Sequence, residues 1–110
     1  MRQKLPDIKA GDTLSYAFTC QLPTGLWTAT CQVRTSNPPY QLLADAAVTL
    51  SLPVNGVSTV AVYVAAAQTK SWPAGLQELD IRFSDSGGAV IYTDSIVLPV
   101  LRSITLPLAL

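Results

Sequence analysis

The segment Val48-Thr49-Leu50-Ser51-Leu52-Pro53-Val54-Asn55-Gly56-Val57-Ser58-Thr59-Val60-Ala61-Val62-Tyr63-Val64 decides the fold class. Apolar side chains recur at every second position on both sides of Asn55-Gly56, a dipeptide suited to the positive φ angles of a tight hairpin turn. Successive side chains of a strand point to opposite faces, so this alternation means one buried face and one solvated face. A two-residue Asn-Gly loop would put Val48, Leu50 and Leu52 on the face opposite Val60, Val62 and Val64. A three-residue loop, Val54-Asn55-Gly56, instead pairs Val48 with Val62 and Leu50 with Val60, and the large apolar side chains then share one face. The three-residue loop is therefore expected, with Gly56 in the left-handed conformation.

The same alternation extends outward from this hairpin, and no long stretch has a helical period. Leu5 to Ile8 reads as a short first strand closed by Ala10-Gly11-Asp12. Thr13 to Cys20 and Trp27 to Arg34 read as a hairpin around Leu22 to Gly25. Thr35-Ser36-Asn37-Pro38-Pro39 is a loop, because two prolines remove donors and fix φ. Leu42 to Ala46 reads as a turn leading into the next strand, and Ala65 to Lys70 as one helical turn crossing between sheets. Trp72-Pro73-Ala74-Gly75 is a turn, followed by a strand with Leu79, Ile81 and Phe83 inward and Glu78, Asp80 and Arg82 outward. After a turn at Asp85-Ser86-Gly87-Gly88, Ala89 to Thr93 and Ser95 to Leu101 complete seven or eight strands. The fold class expected is all-β, a single antiparallel sandwich over residues 1–103, with an apolar, uncharged tail over residues 104–110.

Charged residues make up 13% of the 110 and hydrophobic residues 49%, a low charge for a soluble domain that points to surface covered by a partner. Seven basic and seven acidic residues cancel, and Arg2, Lys4 and Lys9 are the one basic gathering. A nucleic-acid partner, which requires a positive stripe to displace counterions, is therefore not expected. The N-terminus lacks the apolar run of a signal peptide, and Val60 to Ala67 is too short to cross a bilayer. Synthesis in the cytosol and no membrane partner are expected.

Histidine is absent, which removes the commonest general base and metal ligand and any Ser-His-Asp arrangement. Cys20 and Cys31 would lie about four residues apart along the expected hairpin, too far for a disulfide, so two buried core thiols are expected. Glu78 and Asp80 share a face, but with Arg82 they form the solvated side of an alternating strand rather than an acid–base pair. Asp85 to Gly88 lacks the further ligands of a calcium loop and the Lys-Ser/Thr ending of a phosphate loop. No catalytic residue, cofactor or metal site is expected. Among the aromatics, Trp27 has core parity, while Trp72 and Tyr40 lie in loops where stacking platforms for sugars are often placed. Trp72 is the better of these for an exposed contact, against the competing reading that it packs under its loop.

Three segments carry a family resemblance: Ile8-Lys9-Ala10-Gly11-Asp12-Thr13; Pro23-Thr24-Gly25-Leu26-Trp27-Thr28-Ala29-Thr30-Cys31-Gln32-Val33-Arg34; and Gln68-Thr69-Lys70-Ser71-Trp72-Pro73-Ala74-Gly75 running into Leu79-Asp80-Ile81-Arg82, a Gly-Gly turn and Val90-Ile91-Tyr92-Thr93. In this order, over roughly residues 8–105, they resemble the small immunoglobulin-like domains of tailed-phage and prophage structural modules. The nearest comparison is the N-terminal domain of baseplate and tail-fibre-anchoring proteins. The resemblance implies a virion component, made in the bacterial host cytoplasm, that builds a tail or baseplate by contact with other virion proteins and with its own copies. It carries over no catalytic or ligand-binding residue. Such domains often precede a fibre-attaching extension, whereas this sequence stops at Leu110, which adds weight to an adaptor within the tail or baseplate reading and makes a capsid-decorating protein a further alternative. A carbohydrate- or receptor-binding module is the alternative. Contact residues expected are Ile104, Leu106, Leu108 and Leu110, with Trp72 behind them.

Overall fold

The computed structural model describes residues 3–104. Its elements, in chain order, are β1 (Gln3–Lys4), β2 (Ile8–Lys9), β3 (Leu14–Cys20), β4 (Trp27–Thr35), β5 (Leu42–Leu50), β6 (Ser58–Val64), α1 (Ala66–Thr69), β7 (Gly75–Asp85), β8 (Val90–Tyr92) and β9 (Ile96–Leu101). The protein is all-β. The strands follow one another in the order β1-β9-β7-β4-β5-β6-β3, with β2 also on β9 and β8 also on β7, in a mixed sheet curled until it nearly closes into a barrel. The expectation of purely antiparallel pairing is corrected at the N-terminus, where β1 and β2 both run parallel to β9. Leu5 lies between them, donates its N–H to the carbonyl of Val97 and buries its side chain in the core.

Alternation dictates the inside of this structure. Leu14 on β3, Cys31 and Val33 on β4, Ala44 on β5, Val60, Val62 and Val64 on β6, and Leu79, Ile81 and Phe83 on β7 are buried in one cluster with Leu98 and Val100 of β9. Glu78, Asp80 and Arg82 lie on the opposite parity of β7, as their spacing requires.

Four expectations change in detail. Leu42 to Ala46 is not a turn but the first half of β5, which pairs with β4 through Leu42 to Ala46 and with β6 through Ala47 to Leu50. The hairpin register is the expected one, with Val48 opposite Val62 and Leu50 opposite Val60. Its loop is nevertheless two residues long: Asn55 and Gly56 have φ of 53° and 78°, and Val54 and Val57 exchange both backbone hydrogen bonds across them. The extra residue sits lower, where Leu52 and Pro53 oppose Ser58 in a bulge. Burial of the apolar face outweighs ladder regularity, and the bulge reconciles the turn with the register.

The third change concerns β3 and β4, which do not pair: β3 bonds to β6, and β4 lies between β5 and β7. Cys20 and Cys31 therefore sit on separate strands of the curled sheet, and both are free thiols. The fourth is Trp72. Its backbone N–H donates to the carbonyl of Thr69 at the end of α1, and its side chain belongs to the core cluster with only 4% of its surface exposed. Trp72 is thus a core residue rather than a contact residue, because burying an indole removes more apolar surface from water than almost any other side chain.

Burial, aided by the nearby Asp80 carboxylate, pushes the Cys31 thiol from the usual 9.0 up to about 12, and burial raises Cys20 as well. Above about pH 9 the unfolded chain releases a proton that folded Cys31 retains until about 12, so stability falls through that window by at most about 1.4 kcal/mol per pH unit. Below pH 9 this thiol contributes no pH dependence. Urea midpoints measured between pH 7.5 and 10.5 should drop only above about 9, and the drop should shrink in Cys31→Val. In a second test, Ile81→Ala, at a fully buried site facing β4, should lower stability by about 2–5 kcal/mol.

Candidate contact surface at the loop end

Register places three loops at one end of the molecule. Strand β4 begins there, with Trp27 opposite Asp85 at the end of β7, and the last pair of β3 and β6 is Cys20 with Ser58. Loop 21–26, loop 51–57 and the turn after Asp85 consequently cluster. Asp85 builds that turn itself, its Oδ1 accepting from the N–H of Gly87 and of Ala89 at 2.9 and 2.8 Å. This side chain is therefore engaged in turn geometry, as the sequence pattern suggests.

The first two loops enclose a depression of about 310 Å³. Leu22, Trp27 and Leu50 contribute apolar surface to it, with Pro23, Leu26, Leu52 and Pro53 around them, and no charged residue lines it. Trp27 is held in place by a hydrogen bond from its Nε1 to the carbonyl of Pro23, at 2.8 Å. That bond satisfies the indole N–H and leaves the ring as an apolar wall. Around the depression, Leu26 is 76% exposed, Leu52 75% and Val54 70%. Full burial of one aliphatic side chain is worth about 1.5–3 kcal/mol, so three left in water on adjoining loops mark a surface that gains by being covered.

The outer face of β4, β5 and β7 differs in chemistry. Arg34 donates to Gln32 Oε1 at 2.8 Å and to the carbonyl of Tyr40 at 3.1 Å, and Gln32 Nε2 donates to Asp45 at 3.0 Å. Together with Glu78, Asp80 and Ser95, the Gln32 and Arg34 side chains border a shallower depression of about 270 Å³ beside the exposed ring of Tyr40. Tyr40 has φ of 55°, and its N–H closes a turn onto the carbonyl of Asn37.

Of the remaining expected contact residues, Ile104 lies at the opposite end. Strand β9 finishes with Leu101 beside Lys9, and Ser103 Oγ donates to the carbonyl of Ala10. Ile104 follows with 80% of its surface exposed. Leu106, Leu108 and Leu110 fall outside the described residues. Thr69, fully buried, braces this end by donating to the carbonyl of Asp12 and accepting from the N–H of Gly11. The structure thus leaves Ile104 exposed and Trp72 buried. It also exposes Leu26, Leu52 and Val54, which sequence reasoning missed. A signal was present for Leu26, which breaks the inward parity of β4, but not for Leu52, which continues the parity of Val48 and Leu50.

Among the described residues, no three His, Cys, Asp or Glu side chains gather to hold a metal ion, and no helix is long and apolar enough to cross a membrane. No protein-family model matches the chain, and no curated protein does.

Leu52→Asp removes apolar surface without touching the core. It should leave the urea unfolding free energy within about 0.5 kcal/mol of the parent. It should also weaken the binding of an anilinonaphthalene sulfonate dye; unchanged dye fluorescence would show that this end offers no apolar site.

Proposed function

We propose that this chain is an immunoglobulin-like structural protein of a phage-like particle, working without catalysis through protein–protein contact. Strand order supports the fold half of the reading. Taking β1–β2 as the first strand and β8–β9 as the seventh, β3-β6-β5 matches the B-E-D order of an immunoglobulin sheet, and β4-β7-β9 matches C-F-G. The departures are the N-terminal segments, which join the second sheet in parallel, and β5, which bonds to both sheets.

The observation that carries the functional half is the uncharged, aliphatic loop end formed by Leu26, Leu52 and Val54. Specific protein interfaces deplete charge at their centres and fill apolar depressions with partner side chains. The outer edge of β3 supports the same reading. Leu14 to Cys20 carries no charge, and among the described residues β3 has β6 as its one strand neighbour. Such an edge is a template for strand addition. The resemblance noted above supplies the setting, a tail, baseplate, adaptor or capsid-decorating component.

Particles purified from producing cells should contain the chain in fixed stoichiometry, measured by mass spectrometry. Incorporation of Leu26→Asp/Leu52→Asp should fall at least tenfold. Particles lacking the parent chain altogether would overturn the virion reading.

Glycan or receptor binding is the second reading. What favours it is the exposed ring of Tyr40 beside Gln32, Arg34 and Glu78, since sugars stack on aromatic rings flanked by polar groups. A panel of glycans titrated against the parent and Tyr40→Ala separates the two: saturable binding lost in the variant would favour this alternative, and no binding would remove it.

A further inference from the structure

The chain has two uncharged apolar features, and the second begins at the end of the molecule opposite the first. One is the depression walled by Leu22, Trp27 and Leu50 and rimmed by Leu26 and Leu52. The other is the segment Ile104-Thr105-Leu106-Pro107-Leu108-Ala109-Leu110, whose first residue is highly exposed where the chain leaves β9. Register fixes their separation. Trp27 pairs with Asp85 at one end of β7, whereas Gly75 at its other end pairs with Val100 of β9. Ten residue steps of β7 therefore lie between the two features, about 33 Å of strand.

Six extended residues beyond Ile104 reach at most about 20 Å. The segment therefore cannot enter the depression of its own molecule. It can enter that of another copy.

We infer that residues 104–110 of one copy dock into the depression between loops 21–26 and 51–57 of the next, joining copies head to tail. This rests on the assembly reading above and names its partner as a second copy of the same chain. The chemistry of the two surfaces matches. The segment offers aliphatic and proline side chains and Thr105 with no charge, and the depression supplies aliphatic, proline and indole walls together with the hydroxyls of Thr24, Ser51 and Ser58, also with no charge. Pro107 lacks an N–H and cannot take part in a full strand ladder, which favours a side-chain slot over the outer edge of β3. Because donor and acceptor surfaces differ, the contact is heterologous. Repeating it generates a ring if the rotation closes and a filament if it does not.

Two full-length variants each retain one half of the contact. Leu106→Asp/Leu108→Asp keeps the depression, and Leu26→Asp/Leu52→Asp keeps the segment. Light scattering behind a sizing column should find the parent assembling with rising concentration and each variant alone monomeric. An equimolar mixture of the two variants should form a one-to-one pair. A synthetic peptide of residues 103–110, added to Leu106→Asp/Leu108→Asp, should change tryptophan emission saturably through Trp27. That change should weaken at least tenfold when Leu52→Asp is added and disappear with Trp27→Phe.

Assembly by either variant alone would overturn the inference, since the contact would then be isologous or lie elsewhere. A monomeric parent with no response to the peptide would overturn it too. That second outcome leaves the virion reading to stand or fall on the particle analysis, where a different protein would have to cover the loop end.

Discussion

Strand β5 changes partners halfway along its length, and the curl of the whole sheet depends on that exchange. Its first half bonds to β4 and its second half to β6. Every backbone donor and acceptor in a sheet interior requires a partner, so a strand that moves from one neighbour to another must do so without leaving a gap. Asp45 is flanked by Ala44, Ala46 and Ala47 at this point, and small side chains let the chain bend where two portions of sheet meet. Side-chain parity survives the exchange: Ala44, Ala46, Val48 and Leu50 all pack on the core. Valines of β6 consequently face Ile81 and Phe83 of β7 in one interior rather than in two separate layers.

Placement of the loops follows from that constraint. With β5 carrying the chain from one end to the other, the loops leading into β4 and into β6 come together, and their apolar residues are left without cover. The bulge opposite Ser58 has a part in this. By absorbing one residue it keeps Val48 and Leu50 inward while turning Leu52 and Val54 toward solvent. The packing requirement of the core and the exposure of Leu52 and Val54 are in this way two results of the same local irregularity. Bulges commonly re-aim side chains near functional surfaces.

Legibility varied along the chain according to whether local physics or distant partners decided the outcome. Alternation in β3, β4, β6 and β7 placed Leu14, Val33, Val62 and Phe83 inside, because period-two patterning is a property of the strand itself. The helical turn at α1, the Asp85 turn and the left-handed Gly56 were legible for the same reason. Pairing of β3 with β6 was not, since the short link between Cys20 and Trp27 reads as a hairpin although its flanking strands belong to different parts of the sheet. Leu42 to Ala46 read as a turn because its alanines carry little β signal, and β4 supplies the order that propensity does not. Trp72 lay beside a proline turn, where nothing in the local pattern distinguishes a ring directed outward from one packed in the core.

By itself the sequence determined the class of the fold, the inward face of the main strands, the hairpin register at Asn55-Gly56 and the low charge that favours contact over chemistry. These depend on side-chain alternation, turn conformation and composition, which are encoded within a few residues of one another. Tertiary structure alone decided which strands are neighbours, that β1 and β2 join β9 in parallel, that Trp72 is core, and that Leu26 and Leu52 meet around one depression while Ile104 stands at the far end. Those outcomes depend on which distant segments exclude water from each other, and no local pattern carries that information.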